Sequence, residues 1–357
     1  MSFKFCPECG FKLDKEYKFC PECGYKFGHS EDKSSIDSSN KYKKYGNFKN
    51  QFGGFNDLEK KKEKADKFYN ENNFIEAFPL CLDLAETGDP LYEFRTGYCY
   101  HTGKGVEKNL KEAVKWYEKS ASNGNAKAQF NLGLMYHEGN GVVQDDKKAF
   151  NLFKKSAEQG NALAQNHVGL CYFHGIGVRE DEKEAFYWYK EASKQGNATS
   201  QKNLGHCYYY GRGVSKDYEQ AFYWYSKAAE QGNAAAQGML GNCYYYGNGV
   251  SEDLEEAFNC YLKASKQGDC DAQYGLAMCY ENGEGVEQDD EEAVYWYNIS
   301  ANQEHGLAQF QLGFRYLYGI GVDRNQDLAI YWLEKSKEND CEDAVNLLEQ
   351  FNKLYKK

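Results

Sequence analysis

The chain has 357 residues, a formal net charge of −11, 41% hydrophobic residues and 27% charged ones. No apolar N-terminal signal and no apolar run long enough to span a bilayer occurs, which excludes a membrane-spanning class and makes the cytoplasm the expected location. The acidic balance also disfavours generic nucleic-acid binding, which rests on neutralising phosphates with basic side chains.

The first segment is duplicated. Phe5-Cys6-Pro7-Glu8-Cys9-Gly10-Phe11-Lys12-Leu13 recurs as Phe19-Cys20-Pro21-Glu22-Cys23-Gly24-Tyr25-Lys26-Phe27. Two Cys-x-x-Cys knuckles at this spacing are a tetrathiolate zinc pattern, with Cys6, Cys9, Cys20 and Cys23 as ligands to one Zn2+. Gly10 and Gly24 let the backbone amides turn toward the sulfurs. Four thiolates fill a tetrahedral ion and leave no open position, so the site reads as structural. A module this short lacks a sufficient core, and metal would supply its folding energy. A redox dithiol pair is the other reading, and Pro-Glu inside both knuckles favours metal. Residues 1–28 resemble the short zinc-ribbon modules of bacterial and archaeal N-termini.

Residues 29–56 are rich in Ser, Lys, Asn and Gly without an apolar period. They read as a flexible tether with a reach of about 30 Å. Its scattered rings (Tyr42, Tyr45, Phe48, Phe52, Phe55) also fit a short docking peptide. Residues 57–88 read as a helical pair that caps the N-terminal end of the repeats beginning at residue 89.

From residue 89 to 340 one 36-residue unit is written seven times. One ladder runs Gly97, Gly133, Gly169, Gly205, Gly241, Ala277, Gly313. A second begins each Gly-x-Gly-Val: Gly103, Gly139, Gly175, Gly211, Gly247, Gly283, Gly319. Such periods mark stacked repeats, in which each unit buries its apolar face against its neighbours. Within one unit, Ala128, Leu132, Met135 and Tyr136 make one helical stripe, and Ala149, Leu152, Phe153 and Ala157 another. Each unit is therefore two antiparallel helices. Gly139 suits a left-handed cap on the first helix, and Val142 is the apolar residue of the connection. The second helix begins after a residue that is always Asp or Asn: Asn109, Asp145, Asp181, Asp217, Asp253, Asp289, Asn325. Each can accept from the free amides of the first turn, worth about 1 kcal/mol. Gly160 stops the second helix and Asn161 can cap the next. Gly133 lies mid-helix at a cost of roughly 1 kcal/mol against Ala, offset by close approach of the partner helix. Residues 341–357 read as a final capping helix with Ala344, Leu347, Leu348 and Phe351 on its stripe.

The unit Ala198, Leu204-Gly205, Tyr208, Gly211-x-Gly213-Val214, Asp217, Ala221, Trp224-Tyr225, Lys227-Ala228, Gly232 resembles the Sel-1-like repeat family, a relative of the tetratricopeptide repeat. The resemblance implies an all-α fold, a right-handed α-solenoid of stacked helix pairs, and scaffold work in assembling complexes. It departs at Glu304-His305, which replaces the usual Gly-Asn/Asp, and at Ala277; a changed stacking angle is expected there. In the related tetratricopeptide arrays the first helices line the groove. Carried over by position, the groove residues are Tyr98, His101, Leu134, His137, Leu170, Phe173, His206, Tyr209, Asn242, Tyr245, Met278 and Phe314. Aromatic rings at these positions suit binding, or they pack between helices.

Residues 1–67 hold 15 Lys against 11 acidic residues, and the remainder holds 28 basic against 43 acidic. Nine cysteines lie outside the knuckles, and Cys99, Cys171, Cys207, Cys243 and Cys279 share one repeat position. Equivalent positions on stacked helices lie beyond disulfide reach, so these are small apolar core residues. The paired-cysteine framework of some secreted relatives is absent, with only Cys270 near one of its positions. No catalytic set emerges. Gly-x-Gly-Val joins two helices rather than following a strand, unlike a nucleotide loop. Ser30-x-x-Lys33 stands without its accompanying motifs.

The sequence reads as a non-enzymatic cytoplasmic adaptor: the repeats hold a protein or peptide, and the zinc ribbon recruits a second component. A nucleic-acid-associated regulator using residues 1–67 is the alternative class. A penicillin-binding or penicillin-hydrolysing enzyme is a remote third, without its cysteine pairs or nucleophile motif.

Overall fold

The computed structural model describes the backbone of residues 52–355 and the side chains of residues 57–350. The four cysteines expected to bind zinc, Cys6, Cys9, Cys20 and Cys23, and the stretch expected to be a tether as far as residue 51, lie outside the described residues. The described residues form helices joined by turns, with no strand among them.

The described residues divide into two compact units, with the boundary between Asn197 and Ala198. In the first, the helices are α1 (Phe52–Asn70), α2 (Phe74–Ala85), α3 (Pro90–Thr102), α4 (Leu110–Ser122), α5 (Ala126–Glu138), α6 (Asp146–Glu158), α7 (Ala162–His174) and α8 (Glu182–Lys194). The second holds α9 (Ala198–Tyr210), α10 (Tyr218–Glu230), α11 (Ala234–Tyr246), α12 (Leu254–Ser265), α13 (Cys270–Asn282), α14 (Asp290–Ala301), α15 (Gly306–Tyr318), α16 (Gln326–Glu338) and α17 (Glu342–Tyr355). Helix α1 begins at Phe52, inside the stretch whose composition reads as tether. Within each unit, consecutive helices pack in chain order as stacked antiparallel pairs.

The local signals act as the sequence implies. All seven Asp or Asn caps at the second helices accept from a backbone N–H of the first turn; Asp145, for example, accepts from Lys148 at 3.0 Å. Asn161 caps α7 by accepting from Ala164. Gly139 closes α5 at φ 71°, a left-handed conformation. Val142 packs partly buried under the α4–α5 core. The second glycine of the loop serves a different end. A β-carbon on Gly249 would stand 2.1 Å from the Tyr218 carbonyl oxygen, so this loop lies directly on the first turn of α10, one pair earlier.

Gly133 confirms close approach: a β-carbon there would meet the Phe153 ring at 2.6 Å. The core itself is laid down pair by pair, as in the cluster of Ala257, Tyr261, Ala264, Ala272, Leu276 and Cys279. The five cysteines at the shared position are all buried, and burial pushes the Cys99, Cys171, Cys243 and Cys279 thiols up to about 12.

The departure at Glu304-His305 is absorbed locally. Glu304 takes φ 66°, the conformation Gly takes at the other junctions, and His305 replaces the Asn/Asp cap by accepting from the Ala308 amide through Nδ1 at 3.1 Å. The hydrogen bonds that join neighbouring pairs elsewhere persist here, with Gln303 donating to Gln273 at 2.7 Å and Ser300 to the Cys270 carbonyl at 2.8 Å. A last helix does form, α17, whose Ala344 and Leu348 bury against Leu333 and Cys341.

Candidate functional site

In the second unit the first helices of successive pairs, α9, α11 and α13, together with the start of α15, enclose a cleft of about 270 Å³. Four of the twelve groove residues expected from the sequence line it: His206, Asn242, Tyr245 and Met278. It is completed by Tyr210, Met239, Tyr246, Asp269, Asp271, Tyr274 and His305 among others.

Helix geometry explains the membership. Residues 206, 242 and 278 each come directly after the rung position and project on the same side as residues four later. Asn242 is held by two bonds, accepting from the Tyr261 hydroxyl at 2.7 Å and donating to the Met239 sulfur at 3.6 Å. The Tyr245 hydroxyl donates to Glu284 at 2.7 Å. His206 stacks on Tyr210 with ring centroids 5.7 Å apart, and stands edge-on to Tyr225. The rim tyrosines Tyr210 and Tyr246 remain 53% and 61% exposed, so their rings face solvent as well as the cleft.

The charges are arranged unevenly. Burial, aided by the Lys202 cation, lowers His206 to about 4, so it is neutral at physiological pH. His305 stacks on Tyr274 at 4.8 Å. Because its Nδ1 accepts from Ala308, Nε2 is the nitrogen that carries hydrogen, and it faces Asp271 at 3.4 Å. That hydrogen bond holds the Asp271 carboxyl below the ordinary range. Asp269 caps α13 through the Ala272 amide at 2.8 Å, and burial raises its carboxyl. The cleft lining thus contains two carboxylates and neither Lys nor Arg. Lys202, outside the lining, offsets part of the Asp269 charge.

The other eight expected groove residues are half-buried and not in this cleft. Tyr98 sits among Tyr69, Phe74 and Phe94. His101 meets the Tyr117 ring and hydroxyl. Leu134 packs against the α5–α8 core, and Leu170 is half-buried on α7. His137 pairs with Asp146 at 2.6 Å. Phe173 meets His174, Tyr209 accepts from Asn248 at 2.9 Å, and Phe314 lies against Tyr318. For most of these, packing between helices accounts for the side chain.

Sequence reasoning does not single out Tyr210, Tyr246, Asp271 or His305. The signal for the first two is present, since both lie five residues after a rung and are Tyr. His305 reads in the sequence as a departure from the repeat, without a role in a site.

Comparison with known proteins places these observations. The family model for the Sel1 repeat matches seven times in succession, from residues 90–125 to 306–341, and the zinc-ribbon domain matches residues 5–27. Among solved structures, a protective antigen of uropathogenic Escherichia coli displaying an SLR fold is 34% identical with a TM-score of 0.69, covering 84% of this chain and 68% of its own. A Sel1 repeat protein from Oxalobacter formigenes is 30% identical with a TM-score of 0.63, covering 84% of this chain and 90% of its own. Chitin synthase regulator SKT5 of Saccharomyces cerevisiae is 45% identical over 53 residues, 15% of this chain, and the chain spans only 8% of that protein's length. Seven consecutive repeats occupying most of the sequence decide the matter: the chain belongs to the Sel1 repeat family.

Proposed function

We infer that this protein is a non-enzymatic adaptor. Its repeats hold a segment of a partner protein against the first helices of the second unit, and its N-terminal zinc ribbon engages another component of the same assembly. The observation that carries this reading is the cleft built from three successive first helices and the start of a fourth. Its lining is aromatic, its rim tyrosines are solvent-facing, and its histidines are committed: one half-buried and neutral, the other capping a helix. Such a surface suits recognition more than proton transfer. The SKT5 relative is named as a regulator of another enzyme, a role that a scaffold can fill. The cytoplasm is the proposed location; no described helix is long and apolar enough to cross a membrane.

Cys6, Cys9, Cys20 and Cys23 would hold one structural zinc ion, giving the short module its fold. Metal analysis of the purified full chain is expected to find about one Zn2+ per chain, falling to none in a Cys6→Ser/Cys9→Ser variant; a metal-free wild-type protein with intact thiols contradicts the assignment. The adaptor reading is tested by affinity capture from the native cell with full-length bait at several salt concentrations. A reproducible partner recovered in proportion to bait is expected, and capture of none at any salt contradicts it.

A further inference from the structure

The charge of the molecule is not spread along the repeats. Residues 1–197 carry 30 basic and 29 acidic side chains, whereas residues 198–357 carry 13 basic and 25 acidic. The acidity belongs to the unit that contains the cleft. Within that cleft the pattern sharpens: Asp269 and Asp271 are the charged groups, and Tyr210, Tyr245, Tyr246 and Tyr274 line it with them. Asp271 is the more available carboxylate, with 85% of its side chain exposed; its partners are the His305 imidazole and the Cys270 thiol, which donates to it at 3.8 Å. At about 270 Å³ the cleft falls below the roughly 300–1,000 Å³ usual for small-molecule sites. It holds one or two side chains, not a cofactor.

Electron-rich ring faces beside an ionised carboxylate attract a cation, and a planar one best, because it can stack on a ring while donating two hydrogen bonds to the carboxylate. A guanidinium is also more weakly hydrated than an ammonium and enters a half-enclosed cleft at lower desolvation cost. We propose that the cleft bounded by Tyr210, Tyr246, Tyr274 and Asp271 receives an arginine side chain from an extended segment of the partner protein. This rests on the adaptor reading and names the chemistry of its partner. Asp271 binds the guanidinium edge, the tyrosines flank its faces, and Met239 and Met278 form the floor that packs on the aliphatic stem.

The chain's composition makes this testable. It has four methionines, Met1, Met135, Met239 and Met278; two line the cleft, and Met135 is fully buried in the first unit. The full-length protein carrying 13C-methyl methionine is titrated with the peptide acetyl-Ser-Gly-Arg-Gly-Ser-amide, and with versions bearing Lys, Leu or Glu in place of Arg. The Arg peptide is expected to shift the Met239 and Met278 methyl signals saturably while Met135 stays still, and to bind more tightly than the Lys peptide. Asp271→Asn, at an exposed position, should keep the melting temperature and weaken Arg binding by about tenfold, the scale of one charge-assisted contact. The proposal is overturned if the Leu or Glu peptide shifts the two signals as well as the Arg peptide does, if the Arg peptide leaves them unmoved, or if Asp271→Asn changes nothing. A captured partner that binds wild type and Asp271→Asn alike would also overturn it, while leaving the adaptor reading intact.

Discussion

At Gly241 a β-carbon would stand 2.7 Å from both Cδ1 and Cε1 of Tyr261, a ring that is itself 4% exposed and central to its core cluster. The residue is Gly because the partner helix leaves no room for a methyl group. Gly241→Ala is therefore expected to destabilise the protein by about 1–3 kcal/mol, despite the better helix propensity of Ala, as read by urea unfolding; a neutral or stabilising result would mean the ring moves aside freely. A second residue-scale effect concerns protons. His206 and His167 are both lowered to about 4 by burial, so the unfolded chain, with histidines near 6.5, binds more protons than the folded one between those values. Their contribution to stability is present above about pH 6.5 and is lost progressively as pH falls toward 4. His206→Gln should flatten the fall in unfolding free energy over that window; an unchanged slope contradicts the burial argument.

At the scale of helices, one device joins pair to pair. Gln129 on α5 donates to the Ala121 carbonyl at the end of α4 and accepts from Gln159 at the end of α6. Gln165 with Gln195, Gln237 with Gln267, and Gln273 with Gln303 repeat this, and Gln309 does so with Asn339. At the first pair Glu93 accepts from Asn123 in the same way. Each Gln bridges three helices, and several are almost fully buried, so removing one strands the groups it served. Gln273, 2% exposed, is the informative case. Gln273→Ala should cost about 1–3 kcal/mol, and a double-mutant cycle with Gln303→Ala should show a coupling of about 0.5 kcal/mol or more; strictly additive losses would mean the pair does not interact. The helix caps and glycine ladders are legible in the sequence because each satisfies a local backbone need with one residue type. The glutamine bridges are equally periodic but escape a reading of the sequence, since Gln at an inward position looks like an ordinary polar residue until its distant carbonyl is known. The groove is only partly legible for a related reason. Equivalent positions project alike, yet Tyr98 meets neighbouring rings where Met278 meets open space, and the period carries no record of what stands opposite.

For the molecule as a whole, the repeats supply a surface and the sequence varies what is written on it. The second unit concentrates the negative charge and carries the aromatic cleft, while the first is nearly balanced. That division fits a chain whose parts engage different components, with the cleft of the second unit as one contact point. The most direct measurement places a photoreactive benzoylphenylalanine at Tyr246, on the rim of the cleft, and in a second protein at Tyr331, which is 52% exposed on α16 and outside it. After irradiation of the full-length proteins in extract of the native cell, position 246 should yield a discrete adduct that maps to one segment of one partner, and position 331 should not. Adducts of the same pattern from both positions, or none from position 246, would contradict the claim that these repeats hold a protein segment at this cleft.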